Sequence, residues 1–178
     1  MAGSITLVGM MGAGKSVIGA ELARRLGRRF LDSDGAIEAA AAMTIPEIFA
    51  RDGEAFFRDR EAEVIARLLA GPACVLATGG GAWLRPVNRA AIRAAGTVVW
   101  LDADEDTLWH RLRGRSGRPL LETADPRATL RTMLDARRPV YAEAELAVRG
   151  GPDDGVPAAA DAVLRTIAAR RPDILENP

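Results

Sequence analysis

Gly9-Met10-Met11-Gly12-Ala13-Gly14-Lys15-Ser16 meets the pattern G-x-x-x-x-G-K-[ST] at every fixed position. Ile5-Thr6-Leu7-Val8 just before it reads as a buried strand. After it, Ile18, Leu22 and Leu26 recur every fourth residue and Gly27 stops the run, as in a helix over 16–26. Strand, glycine-rich loop and helix thus follow in the order that turns this pattern into a phosphate site. The glycines let successive N–H groups turn inward around an anion, and the helix N-terminus adds partial positive charge. Gly12, Ala13, Gly14, Lys15, Ser16 and Val17 are read as the nucleotide-binding group. Lys15 would reach the β- and γ-phosphates, and the Ser16 hydroxyl would ligate Mg²⁺.

Outward from this loop the chain alternates strands and helices. Strands are predicted at 29–32, 73–78, 97–102 and 146–149, and helices at 36–42, 54–70, 86–95, 105–113, 126–140 and 158–169. Thr44-Ile45-Pro46-Glu47 has capping-box spacing and opens a further helix. Such alternation argues for an α/β fold, a parallel sheet covered on both faces. Residues 114–125 show neither period and read as a mobile loop rich in Arg, and the last residues read as frayed.

The 178 residues suit one domain, with no linker or repeat. Basic and acidic side chains balance at 24 each, which argues against a general nucleic-acid binder. No apolar run approaches the roughly 18 residues needed to span a membrane. The first strand follows Met1 so closely that no signal peptide is expected, and a cytoplasmic setting is. A single Cys, Cys74, and a single His, His110, exclude an internal disulfide and Cys- or His-rich metal clusters. Lys15 is the only lysine; every other basic residue is Arg. With no second Lys to complete an Asn/Thr-Lys-x-Asp guanine motif, ATP is favoured over GTP.

Candidate acceptor residues are less local. Asp32 and Asp34 flank Ser33 at the carboxyl end of the second strand, the edge where parallel sheets place ligands. Asp32 would sit by the metal. Asp34 either orients an acceptor hydroxyl as a base or caps the helix at 36–42; spacing does not separate the two. Arg58, on a helix with Arg60 and Glu61, reads by itself as a solvated ion pair. Gly79, Gly80 and Gly81 break an apolar strand, either as a wide turn or where backbone must approach a ligand. Arg111, Arg113, Arg115 and Arg118 crowd the mobile stretch, where closing positive charge would serve phosphoryl transfer.

Together these segments resemble the shikimate kinases, small P-loop kinases of the nucleoside-monophosphate-kinase superfamily. Beyond the phosphate loop, the resemblance runs through Phe30-Leu31-Asp32-Ser33-Asp34 with Ile37-Glu38, then Ile45-Pro46-Glu47-Ile48-Phe49. It continues through Gly53-Glu54, Phe57-Arg58, Glu61, Thr78-Gly79-Gly80-Gly81, Arg118-Pro119-Leu120-Leu121 and Arg137-Arg138-Pro139-Val140-Tyr141. The pieces keep the family's order and spacing from residue 5 to about 150. Departures are small: Ser33 where Thr is frequent, and Val140 where Leu is frequent.

The resemblance implies transfer of the γ-phosphate of ATP to the 3-hydroxyl of shikimate, with Mg²⁺ held by Ser16 and Asp32. It implies a monomer with one domain over 1–178, a three-layer α/β/α fold around a five-stranded parallel sheet, an acceptor-binding segment at 33–61 and a lid at 113–124. By the same matching, Asp34, Arg58, Arg137 and the backbone of Gly79, Gly80 and Gly81 hold shikimate. Arg58 and Arg137 clasp its carboxylate, a task suited to the guanidinium fork. Asp34, Lys15 and Arg118 are the implied catalytic residues, Arg118 reaching the phosphates and Arg111 lying against adenine. Alternatives are a P-loop kinase for a close shikimate analogue or another small hydroxy-acid, and a non-catalytic nucleotide-binding protein.

Overall fold

The structure is a computed structural model that describes residues 3–113, 119–151 and 154–175. Five parallel strands form one sheet in the order β2-β3-β1-β4-β5: β1 (Ser4–Val8), β2 (Arg29–Asp32), β3 (Cys74–Ala77), β4 (Gly96–Asp102) and β5 (Leu146–Arg149). The central strands β1, β3 and β4 are buried on both faces, which their largely apolar runs allow, with Ser4, Thr6 and Thr97 the buried hydroxyl residues among them; β5 at one edge alternates buried and exposed. Ile5, Leu7 and Leu76 have no exposed surface, a burial worth about 1.5–3 kcal/mol per side chain.

Helices cover both faces: α1 (Lys15–Leu26), α2 (Ser33–Ala41), α3 (Ile45–Leu69), α4 (Pro86–Ala95), α5 (Glu105–Leu112), α6 (Pro126–Tyr141), α7 (Val156–Arg170) and α8 (Pro172–Leu175). The capping box expected at Thr44 is present, with Glu47 Oε2 accepting from the Thr44 amide at 2.7 Å. The two helices expected around residues 45 and 54–70 are one run broken at Gly53, whose φ of 82° and ψ of 171° suit glycine and little else. No helix among the described residues is long and apolar enough to cross a membrane.

One expectation is corrected and one element added. The last residues, expected to be frayed, lie outside the described residues from 176 on; before them α8 buries Ile174, and Arg28 donates to the Ile174 carbonyl and, at 3.1 Å, to that of Gly3. A helix over 36–42 in fact starts at Ser33, and its N-cap is Asp32 rather than Asp34.

A second, smaller apolar cluster of Ile37, Ile48, Phe57 and Val64 joins α2 to α3. Phe49 and Phe57 meet there with ring centroids 4.9 Å apart. This cluster ties together the two helices of the expected acceptor segment.

Candidate active site

The loop between β1 and α1 takes φ of 82° at Gly12 and 93° at Gly14, and α1 starts at Lys15. The Lys15 side chain is nearly buried, and its Nζ donates to the carbonyls of Gly9 and Met10 at 2.8 Å each. Ser16 Oγ donates to Asp32 Oδ2 at 2.6 Å. The other oxygen of Asp32 accepts from the amides of Asp34 and Gly35 at 3.0 and 3.3 Å. Asp32 therefore caps α2 with one oxygen and faces the phosphate loop with the other.

Because Asp32 takes the cap, Asp34 is released from it. Asp34 lies in the first turn of α2, and its buried Oδ1 has no hydrogen-bond partner among the described residues. Burial pushes its pKa above the usual carboxylate value and the Asp32 charge adds to this, while Lys15 and Arg58 pull the other way.

Two cavities open along the sheet edge. One, of about 460 Å³, runs over the phosphate loop and along β4 and β5; Gly12, Ala13, Gly14, Lys15, Ser16 and Val17 line it, as do Asp32 and Arg111. Arg111 donates to the carbonyls of Gly12 and Ala13 at 3.3 and 3.4 Å and to that of Gly151 at 3.2 Å, bridging the loops at either side. The other cavity, of about 290 Å³, lies between α2, α3 and the turn after β3, and is lined by Arg58, Gly81 and Arg137. Met11, Asp34, Gly79 and Gly80 line both cavities.

The glycines of the turn leave space that side chains use. A Cβ on Gly79 would fall 2.6 Å from Asp34 Oδ1, and one on Gly81 would fall 2.5 Å from Arg58 Nη2. Gly79 also donates its amide to Ser33 Oγ at 3.1 Å. Arg58 is gripped along α3: Nη1 donates to both oxygens of Glu61 at 3.2 and 3.0 Å, and Nε and Nη2 donate to Glu54 Oε1 at 3.3 and 3.1 Å. Glu61 is fully buried; burial raises its pKa, with Arg58 opposing.

Every site residue expected from sequence that lies among the described residues borders one of these cavities. Arg118 lies outside the described residues, as do residues 114–117 of the expected lid; Leu120 just beyond them borders the second cavity. Glu61, Ser33 and Tyr141 were not expected as site residues. The available signals were an acid three residues after Arg58 on a helix's apolar face, and a lone Tyr closing a helix.

A phosphate loop in one cavity and a carboxylate at the passage to a second, arginine-bearing one define a P-loop phosphotransferase for a small acceptor. Comparisons narrow the class. A family model described as shikimate kinase matches residues 11–168. The shikimate kinase of Ruegeria pomeroyi is 56% identical over 173 residues, spanning 97% of this chain and 88% of that one. A structure of the shikimate kinase from Acinetobacter baumannii in complex with shikimate superposes with a TM-score of 0.91 at 39% identity, covering 96% of each chain. A gluconokinase structure from Sinorhizobium meliloti, at TM-score 0.62 and 19% identity over 99% of this chain and 98% of that one, shares the fold. The chain belongs to the shikimate kinase family and is an ATP-dependent kinase.

Proposed function

We propose that the chain transfers the γ-phosphoryl group of ATP to the 3-hydroxyl of shikimate, giving ADP, shikimate 3-phosphate and a proton, on the route to chorismate. The observation that carries this reading is the junction at Asp34: one half-buried carboxylate borders both the nucleotide cavity and the acceptor cavity. ATP enters over the phosphate loop, with Lys15 beside its β- and γ-phosphates and Arg111 toward the adenine. Shikimate occupies the smaller cavity, its carboxylate held by Arg58 and Arg137 and its ring against the glycine turn. Asp34 binds the ring hydroxyls and accepts the proton from the attacking one. Its raised pKa suits it to that exchange, since the group is a stronger base than an ordinary carboxylate.

The donor set fits Mg²⁺ delivered with the nucleotide. Ser16 Oγ and Asp32 Oδ2 meet at the mouth of the loop, and no cluster of three or more His, Cys, Asp or Glu able to hold a metal occurs among the described residues. Mg²⁺ favours few protein ligands plus phosphate oxygens and water. Ser16 and Asp32 would hold it, directly or through water, and it would offset phosphate charge. The reading further assigns Arg118 to the phosphates, and residues 33–61 and 113–124 to acceptor binding and closure within a single domain. It also includes a monomer working in the cytoplasm.

A coupled ADP-release assay with MgATP and shikimate, quinate, gluconate, an aminated shikimate analogue and AMP tests the reading. Turnover with shikimate above all others is the expected result. Preference for another acceptor would overturn the assignment of Arg58 and Arg137, and ATP binding without any turnover would point to a non-catalytic protein.

A further inference from the structure

Tyr141 closes α6 and is the only tyrosine of the chain. It is fully buried, its ring stacked on Trp100 with centroids 6.1 Å apart. Its hydroxyl donates to the carbonyl of Gly80 and lies 3.7 Å from the Met10 sulfur of the phosphate loop. One turn earlier, Arg137 Nη1 is 3.9 Å from the same sulfur. Between them, the Val140 carbonyl accepts from Trp83 Nε1 at 2.9 Å. The last turn of α6 is thereby tied to the phosphate loop, to the middle of the glycine turn and to Trp83 just after it.

The turn's carbonyls are all engaged. Those of Gly79 and Gly81 accept from the amides of Ala82 and Leu84, each at 3.1 Å, and that of Ala82 from Asn88 Nδ2 at 2.9 Å. Only the Gly80 carbonyl relies on α6. A trans peptide points its C=O and N–H in opposite directions, and the described chain has no cis bond. Drawing the Gly80 carbonyl toward Tyr141 therefore aims the Gly81 amide away from it. Gly81 borders the acceptor cavity and Tyr141 does not, and no described residue engages the Gly81 amide.

We propose that Tyr141 is a positioning residue for the acceptor: its hydroxyl locks the Gly80–Gly81 peptide so that the Gly81 amide joins Arg137, on the same helix, in facing the acceptor's carboxylate. This rests on the reading of the smaller cavity as the shikimate site. Phe at this position would keep the ring packing and lose the lock. Burial holds the phenol above its usual pKa, with Arg137 of α6 and Arg58 of α3 opposing, so the group remains a donor at neutral pH.

Tyr141→Phe is expected to raise the KM for shikimate about tenfold, the value of one hydrogen bond. Its kcat and KM for ATP should stay near those of the wild type, while Tm falls by a few degrees because the Gly80 carbonyl loses its partner. An unchanged KM for shikimate overturns the proposal; so does an equal rise in both KM values, which would mark general structural support. Should that variant not fold, biosynthetic 3,5-difluorotyrosine alters this one position and keeps the ring. The fluorinated phenol is a stronger acid and cannot donate once ionised. The KM for shikimate should then rise at alkaline pH in the labelled enzyme only, with the KM for ATP unaffected; parallel profiles would refute the lock. Wild-type enzyme that fails to phosphorylate shikimate would remove the acceptor assignment and this inference together. Normal wild-type turnover with an indifferent variant would remove this inference alone.

Discussion

The two cavities meet at Asp34 but are built in different ways. The nucleotide side is made mostly of backbone, from consecutive residues at one strand–helix junction, with the Lys15 ammonium held by carbonyls of its own loop. The acceptor side is made of side chains drawn from α2, α3, the glycine turn and α6, held by charge: Arg58 between Glu54 and Glu61, with Asp34 nearby. A polyanion can be bound by a ring of amides, so contiguous residues suffice. A small carboxylic acid with several hydroxyls needs separate charges at fixed distances, so its site must be assembled by the fold.

Perturbing each side should expose the contrast. Lys15→Ala should lower kcat by about 10³-fold, as loss of a group aimed at transition-state charge does, with Tm nearly unchanged; near-normal turnover would break the account of the phosphate loop. Asp34→Asn should depress kcat by about 10²-fold or more if the group is the base. Its folded pKa is raised, so the folded state holds this proton more tightly than the unfolded chain. The group's stabilising contribution is present below the ordinary carboxylate pKa and is lost as pH rises through the raised value. As the proposed base, Asp34 works in its ionised form, so kcat should fall on acidification at a pH above the ordinary value of 3.8. Asp34→Asn should abolish that limb and be no less stable than the wild type at neutral pH; a change confined to KM would leave Asp34 a binding role only.

Arg58→Ala should raise the KM for shikimate by about 2 kcal/mol or more, roughly thirtyfold. It should also destabilise the fold, because Glu61, with no exposed side-chain surface, loses its counter-charge; removing one partner of a buried pair costs about 3 kcal/mol or more. Arg58→Ala with Glu61→Gln should recover much of the Tm while leaving the KM high. Recovery of both would return Arg58 to a structural ion pair. The smallest effect belongs to a residue that lines neither cavity: Thr44→Ala removes the capping box next to Ile45 and Pro46 of the smaller cavity and should cost about 1 kcal/mol, or roughly 2–4 °C in Tm, with unchanged kcat.

The same contrast explains what could be read before the structure. Strand order apart, the sheet and most helices were legible, because apolar runs, the caps Thr44 and Asp125 and a helix-opening Pro86 are local signals. The phosphate loop was legible for the same reason. Spacing alone left Asp34 between base and cap, because the answer depends on which of two aspartates the α2 amides reach, and they reach Asp32. Arg58 alone read as a surface pair, because burial of Glu61 depends on α3 packing against the glycine turn. Tyr141 stood out only as a lone Tyr closing a helix; nothing local tied it to the glycine turn, because its partner lies 61 positions away. The short α8 gave no sequence signal, because the contact that fastens Ile174 comes from Arg28, far along the chain.

The stacking of Trp100 on Tyr141 has an optical consequence. Trp100 is 7% exposed, with the Arg138 guanidinium 5.8 Å from its ring centroid. The indole thus touches the helical turn that carries Arg137, and shares its ring partner with the peptide bordering the acceptor. Tryptophan emission in this chain should change when that turn shifts, so the proposed acceptor binding should be readable from the chain's own indole. Replacing Trp109 by Phe would remove one of the two other indoles, and titrating shikimate without nucleotide would then report on the acceptor cavity with no coupled assay and no added dye.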